Sequence, residues 1–318
     1  MDKKTIAITD CDHDDISIEE EVLREGGFEA PWFNCKNEDD LIANCKGFQA
    51  LINQYAPFTR RVFEELTDLK MIVRYGVGVD NIDLEAASEY GVSVCNVPDY
   101  GMYEVADQAM ALMLALTRKI ISSNEEVRSG VWDYTRSIPI YRLSEQKVGV
   151  IGAGRIGTAF AERAHAFGLE VLVYDESARK RGSLKDFMTP VSLEELLRES
   201  DIISIHCPLD NNRDLISLEE LKMMKESAYL INVSRGGIIN EDDLLYALEN
   251  ELIAGAACDV FTKEPIDSQS PLLKLDNFIS TPHIAWYSEE SSRELARKVA
   301  EEAVRAGKGQ ELINVVNR

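Results

Sequence analysis

The stretch from Val148 to Asp175, VGVIGAGRIGTAFAERAHAFGLEVLVYD, leaves the chain few choices of fold. An apolar run, Val148 to Ile151, enters a turn punctuated by glycine, Gly152-Ala153-Gly154-Arg155-Ile156-Gly157. Helical spacing then puts Ile156, Phe160 and Ala164 on one face, and a second apolar run ends at Asp175. Strand, tight turn, helix, strand and acid fit within one βαβ length. Gly152 permits the turn, Gly154 lets the backbone approach a pyrophosphate, and Gly157 lets the helix lie close to the strand. At the start of that helix, Arg155 and Ile156 offer uncovered N–H groups and the positive end of the dipole to phosphates. Asp175 stands where a carboxylate can accept the ribose hydroxyls and repel a 2′-phosphate. A lone GxGxxG is a weak signal, and a glycine turn in some other α/β sheet is its plainer reading. Here the flanking strand, helix and acid all agree, and the reading is a site for NAD.

The remainder of the chain alternates strands and helices. Residues 5–9, TIAIT, read as a first strand, followed by an acidic loop, DCDHDD, and a helix, SIEEEVLREGG, with a glycine stop. His13 in that loop sits among carboxylates, but no metal-ligand spacing accompanies it, so the expectation is a solvated loop. Strands are expected at FEAPWF, FQALIN, KMIVRYG and VSVCNVP, with helices at NEDDLIANCKG and TRRVFEELTDL. A long, almost wholly apolar helix is expected from Tyr103 to Ile120, buried on several sides. An amphipathic continuation through SSNEEVRSGVWDY would carry Val127, Val131 and Trp132. Past Asp175, strands at DIISIHCP, AYLINVS, IAGAACDV and NFISTPHIAW alternate with helices, and Asn240 is placed to cap EDDLLYALEN. This order predicts parallel sheets covered by helices on both faces.

Charge and cysteine content narrow the function classes. Acidic residues number 56 against 34 basic ones, a formal net charge of -22. Such a surface disfavours nucleic acid and anionic membranes, and an anionic substrate must find positive charge inside a cleft. The N-terminal MDKKTIAITD turns acidic before any sustained apolar run, and MALMLALT is too short to span a bilayer. Six cysteines show neither CxxC nor zinc spacing, so reduced core thiols in a cytoplasmic protein are expected, with no metal.

Three ionisable residues stand in loops that follow strands of the second half: Arg235, Glu264 and His283. Hydride transfer between a nicotinamide and a 2-oxo acid calls for these types. An arginine holds a carboxylate with a planar fork of donors. A histidine gives or takes the hydroxyl proton near neutral pH, and a carboxylate beside it favours the imidazolium. Each residue also has a bland reading, as a paired surface arginine, a solvated glutamate before Pro265 or a capping histidine. Spacing alone does not decide between them. Arg74, two residues before Gly76 and Gly78 at another strand end, reads equally well as a surface arginine.

The motifs GAGRIG with Asp175, HCPL, NVSRGGIINEDDL, GAACDVFTKEP and TPHIAWYSE resemble those of the D-isomer-specific 2-hydroxyacid dehydrogenases, along almost the whole chain. That resemblance implies two doubly wound α/β domains. A flavodoxin-like substrate domain would comprise residues 1–99 and 288–318, and a Rossmann NAD-binding domain residues 100–287. It implies a catalytic set of Arg235, Glu264 and His283. It also implies cofactor contacts at His206, Cys207 and Pro208 along the adenosine and at Val233, Ser234, Arg235, Asp259 and His283 toward the nicotinamide. Within the family, IVRYGVGVDNID, VSVCNVP, EVAD and AWYSE are most similar to the C-terminal binding protein branch. This makes Arg74, with the amides of Val77 and Gly78, a second carboxylate-binding group, and Trp286 a wall for the substrate side chain. Ser234 and Val77 match dehydrogenases generally rather than the animal corepressors. The Asn240 position, commonly aspartate, should affect only a helix cap.

Two functions compete on these grounds. The first is an NAD-dependent enzyme acting on a small 2-hydroxy or 2-oxo acid, with a homodimer implied. The second is an NADH-sensing, peptide-binding corepressor. The complete catalytic triplet, the strong acidic balance and a C-terminus lacking the corepressors' long tail favour the enzyme. Within the enzyme class the runner-up is a phosphoglycerate dehydrogenase, whose phosphorylated substrate would want more cationic residues than GVGVDNID supplies.

Overall fold

A computed structural model of the chain describes residues 5–317. These form two compact units, one running to Tyr100 and resuming at Ser288, the other from Gly101 to Tyr287.

In the first unit the chain runs β1 (Ala7–Ile8), α1 (Ser17–Gly26), α2 (Glu38–Asn44), β2 (Ala50–Asn53), α3 (Arg60–Glu65), β3 (Met71–Arg74), α4 (Leu84–Glu89) and β4 (Ser93–Cys95). The strands form one parallel sheet in the order β1-β2-β3-β4. The expected strand at FEAPWF is reduced to isolated pairings, Thr5 with Glu29 and Ile8 with Trp32. Pro31 lies inside that stretch and has no N–H to give, which interrupts the ladder. Its carbonyl still accepts from Ile8 N at 2.9 Å. The broken strand therefore lies beside β1 on the side away from β2, which is the doubly wound order of a flavodoxin-like sheet.

The second unit begins with α5 (Met102–Thr117) and α6 (Ile120–Arg128). It continues with β5 (Lys147–Ile151), α7 (Arg155–Ala166), β6 (Glu170–Tyr174), α8 (Glu176–Arg181), β7 (Met188–Pro190), α9 (Leu193–Glu199), β8 (Ile202–Ile205), α10 (Leu218–Met223), β9 (Tyr229–Asn232), α11 (Glu241–Glu249), β10 (Gly255–Cys258) and β11 (Phe278–Ser280). All seven strands are parallel, in the order β11-β10-β9-β8-β5-β6-β7. The order reverses between β5 and β8, the switch point at which such sheets bind ligands. Because side chains alternate along a strand, Val148, Val150, Val171, Val173 and Ile231 pack with α5 and α7 on one face. Ile203, Ile205, Leu230 and Ala256 pack with α9, α10 and α11 on the other. The last helix, α12 (Glu289–Gly307), returns to the first unit and packs on α1, β2 and β3.

Two expectations about the helices after Gly101 need correction. The long apolar helix ends at Thr117, because Lys119 takes a left-handed backbone (φ +51°) that interrupts the hydrogen-bond ladder before α6. α5 is buried within its own unit, against α7, β9 and β10. The amphipathic continuation stops at Arg128, since Gly130 also adopts positive φ. Val131 and Trp132 therefore lie beyond the helix that carries Val127. Trp132 is 89% exposed. As expected, the Asn240 side chain caps α11, accepting from Asp243 N at 3.1 Å. All six cysteines are free thiols, five of them buried. Among the described residues, no helix is long and apolar enough to cross a membrane, and no cluster of three or more His, Cys, Asp or Glu could hold a metal ion.

Candidate active site

Every motif singled out in the second half falls in a loop at the carboxyl edge of the seven-stranded sheet. The glycine turn follows β5, Asp175 ends β6, His206 to Pro208 follow β8, and Val233 to Arg235 follow β9. Asp259 and Glu264 follow β10, and His283 follows β11.

The glycine turn has the shape a dinucleotide needs. Gly152 sits at φ +93°, and a Cβ there would press on the His206 carbonyl and Cys207 N at 2.8 Å. A Cβ on Gly157 would collide with Gly152 O, so α7 can lie this close only as glycine. Gly154 caps α7 without a side chain, and the space over its Cα is open. The first turn of a twelve-residue helix thereby presents its positive end at an open position over Gly154. These residues fit the pyrophosphate of NAD.

Asp175 ties two neighbouring turns together. Its Oδ2 accepts from Ala153 N at 2.8 Å, which ties the glycine turn to β6. Its Oδ1 accepts from Ala178 N at 2.8 Å and from the Ser177 hydroxyl at 2.9 Å, which caps α8. Burial raises the pKa of this carboxyl, but the amide and hydroxyl bonds outweigh it and hold it below the ordinary range. It therefore stays charged wherever a 2′-phosphate would approach. His206 stacks obliquely on Phe160, ring centres 5.0 Å apart, and its Nε2 lies 2.9 Å from Ser204 Oγ. Burial pushes its pKa down to about 3, so the ring is neutral. Cys207 is buried, and its carbonyl accepts the Ser234 hydroxyl, joining the loops after β8 and β9; Pro208 is exposed beside it.

Two of the three ionisable residues meet directly. Glu264 Oε2 lies 2.6 Å from His283 Nδ1, and Glu264 Oε1 accepts from Phe261 N at 2.8 Å. Desolvation raises the Glu264 pKa, but the His283 and Phe261 bonds, with the charges of His283 and Arg235, pull it below the usual value. A carboxylate on Nδ1 leaves Nε2 as the ring nitrogen available to a substrate. Arg235 is half-buried, and its Nη1 donates to Ser234 O at 2.8 Å.

Two polar residues, one at the end of β9 and one just after β10, hold the loops that carry these residues. Asn232, at the end of β9, accepts from Ser234 N at 3.0 Å and donates to Arg235 O at 2.9 Å, which folds the arginine loop back on its strand. Asp259, 1% exposed, holds the histidine loop: Oδ1 accepts from Thr281 Oγ1 and from Ile284 N at 3.0 Å, and Oδ2 accepts from Ala285 N at 2.9 Å. Its carbonyl also accepts from His283 N at 2.9 Å. His283 itself has φ +53°, a costly conformation for a residue with a Cβ, and these bonds on both sides keep it there. The resemblance implies that Asp259 lies toward the nicotinamide; in the structure both of its carboxylate oxygens accept from the loop that carries His283. Reading the sequence missed Asn232, Thr281 and Ser204; the available signal was a polar residue beside a run of apolar strand residues.

Trp286 belongs to the same unit, packed edge-to-face on Tyr287 at 5.5 Å and over Gly101. Arg74, Val77 and Gly78 belong to the other. There Arg74 Nε donates to Gln54 O at 3.2 Å, and its guanidinium lies over Gly76 (φ +118°), where any Cβ would strike it. Asn96 Nδ2 holds Val77 O at 2.6 Å. Asp10 anchors the neighbouring loop, accepting from the amides of Tyr55 at 2.6 Å and Ala56 at 3.1 Å and from Asn53 Nδ2 at 2.9 Å. The acidic loop is not simply solvated as expected. His13 Nε2 pairs with buried Glu19 at 3.1 Å, and that glutamate also accepts the Tyr75 hydroxyl at 2.7 Å.

Comparison with known proteins decides the lineage. Residues 110–285 match the family model for the NAD-binding domain of D-isomer-specific 2-hydroxyacid dehydrogenases. The chain belongs to that family. A glyoxylate reductase of Korarchaeum cryptofilum is 36% identical over 283 residues, 88% of this chain and 85% of its own. A D-3-phosphoglycerate dehydrogenase of Methanocaldococcus jannaschii is 39% identical over 316 residues, 98% of this chain, which spans 59% of that protein's length. The solved structure of a D-lactate dehydrogenase of Aquifex aeolicus with NAD and lactic acid is 28% identical. It superposes with a TM-score of 0.86 over 98% of this chain and 99% of that one. All three are enzymes by name, and none is a C-terminal binding protein. This 2-hydroxyacid dehydrogenase is an NAD-dependent oxidoreductase.

Its cofactor preference can be checked at Asp175. Steady-state kcat/KM should clearly favour NADH over NADPH, even with Arg179, Lys180 and Arg181 close by on α8. Asp175→Ala should narrow that ratio by about tenfold, the scale of one charge-assisted hydrogen bond. It should also cost about 1 kcal/mol of stability by uncapping α8. Equal kcat/KM for the two cofactors in the parent would contradict the reading.

Proposed function

We propose that this dehydrogenase interconverts a small D-2-hydroxy acid and its 2-oxo acid, with Arg235, Glu264 and His283 as the catalytic set. The 2.6 Å Glu264–His283 pair, on the sheet edge that carries the glycine turn, is the observation that supports it most. When bound, the nicotinamide supplies or receives the hydride. Arg235 holds the substrate carboxylate and polarises the carbonyl. His283 Nε2 gives its proton to the carbonyl oxygen in reduction and takes it back in oxidation. Glu264, ionised through neutral pH, fixes the ring and stabilises its protonated form.

On this reading Arg74, with the amides of Val77 and Gly78, binds the substrate carboxylate, and Trp286 gives the side chain a broad apolar wall. Two-oxo acids of four to six carbons, or with a methylthio group, should have higher kcat/KM than glyoxylate or phosphohydroxypyruvate. Trp286→Ala should erode that preference by about 1–3 kcal/mol, and Arg74→Ala should chiefly raise KM. A tenfold preference for phosphohydroxypyruvate would overturn the side-chain assignment.

A homodimer is the assembly we propose, through α6 and the segment that follows it. Ile120, Ile121 and Val127 on α6 and Trp132, Tyr134, Ile138 and Tyr141 after it are large apolar residues left exposed within one segment. That density suits a self-complementary contact. Light scattering at micromolar concentration should give twice the monomer mass; the monomer mass would contradict the proposal. Free thiols and the acidic surface suit a cytoplasmic setting, away from nucleic acid and membranes.

A further inference from the structure

The loop that follows β3 owes its shape to the strand beside it. β3 and β4 run parallel, and Ser93 N bonds Lys70 O at 2.9 Å. Continued in that register, the evenly spaced bonds of a parallel pair would bring Val97 N to Arg74 O. Val97 N instead bonds Gly76 O, at 2.9 Å, so the chain puckers outward after β3. Gly76 absorbs the pucker at φ +118°, a conformation that side chains rarely allow. One residue on, Val77 O accepts from Asn96 Nδ2 at 2.6 Å.

These two bonds fix two successive peptide planes by their carbonyls. Both peptides are trans, and in a trans peptide the N–H points opposite to the C=O. With Gly76 O drawn to Val97 and Val77 O drawn to Asn96, the N–H groups of Val77 and Gly78 both turn away from that segment. Successive N–H groups turned to one side make a concavity suited to an anionic oxygen. Asn96 is itself held: its N–H donates to Asn314 O at 3.2 Å, and Cys95 pairs antiparallel with Val315 on the outer edge of β4. A carboxamide suits the task, because it donates to a carbonyl without bringing a charge near a substrate carboxylate.

We propose that Asn96 is a positioning residue, which acts through Val77 O to aim the Gly78 amide, beside that of Val77, at the substrate carboxylate. This role rests on the carboxylate-binding function proposed for that loop. Asn96 touches no reacting atom, so its effect falls on binding.

In Asn96→Ala the Val77–Gly78 peptide is free to turn. KM for 2-oxo-4-methylpentanoate should rise about tenfold, the worth of one hydrogen bond, with kcat and NADH affinity within about twofold of the parent. Oxamate carries the same carboxylate beside an unreactive carbonyl, and by calorimetry it should bind the enzyme–NADH complex about tenfold more weakly. Asn96→Asp, which keeps the shape but has no N–H to give, should lose at least as much. In the parent, deuterium exchange across residues 75–79 should slow when oxamate joins the NADH complex, a readout that needs no variant.

Arg74→Ala, measured in parallel, separates the two ideas. If it raises KM while both Asn96 variants keep the parent's KM and oxamate affinity, Asn96 does not aim the loop, although the loop still binds the carboxylate. If Arg74→Ala also leaves oxamate binding unchanged, and exchange across 75–79 is no slower with oxamate, the loop is not the carboxylate site and Asn96 has nothing to aim. A lower kcat or melting temperature with KM unmoved would mark Asn96 as structural only, and would also overturn the proposal.

Discussion

Replacing His283 with alanine should lower kcat for 2-oxo acid reduction by about 10²–10⁴-fold, the usual contribution of a positioned general acid. The fluorescence-measured affinity for NADH should stay within a few-fold, because the glycine turn and Asp175 are untouched. Stability should change little, since the imidazole is 47% exposed and Glu264 keeps its bond from Phe261 N. A companion variant tests the partnership. Glu264→Gln removes the carboxylate 2.6 Å from Nδ1 that orients the ring, so kcat should fall about tenfold or more while NADH affinity holds. An unchanged kcat would mean that Glu264 is not the partner of His283.

Asp259→Ala should hurt both folding and catalysis. The substitution leaves the Thr281 hydroxyl and the Ile284 and Ala285 amides without their acceptor. Buried donors left unmet cost about 1–3 kcal/mol each, so a loss of about 3–5 kcal/mol in urea unfolding is expected. What remains folded should turn over about 10²-fold more slowly, because the side-chain bonds that hold the loop on either side of His283 are gone and small misplacements of a catalytic group are costly. Asp259→Asn, which keeps the shape but turns one acceptor into a donor, should fall between the two. If Asp259→Ala matched the parent in both measurements, the histidine loop would be held by something else.

The dinucleotide half was legible because its signals are local. The glycine spacing, the apolar runs on both sides and the acid at the end of β6 each follow from backbone geometry within a few residues. The order of the strands followed from alternation and handedness. What the sequence hid was polar and non-local. The partners of Asp259 were hidden, because nothing in GAACDVF shows that they lie some twenty residues later, at Thr281 to Ala285. His13 looked solvated because Glu19 and Tyr75 meet it only through the fold. The broken strand at Pro31 and the helix break at Lys119 were local, yet apolar patterning overrode both signals. A proline inside an apolar run and one left-handed residue between two good helices are easily read through.

The central claim is that hydride passes between the nicotinamide and the 2-position of a small acid while His283 supplies the proton. Incubating the enzyme with 2-oxo-4-methylpentanoate and 4-deuterated NADH, each 4-epimer in turn, would test it, with chiral separation and mass analysis of the product. The account predicts the D-hydroxy acid carrying one deuterium at C2 from one epimer, and the same product made far more slowly by His283→Ala. Formation of the L-isomer, or of product without deuterium from either epimer, would contradict it.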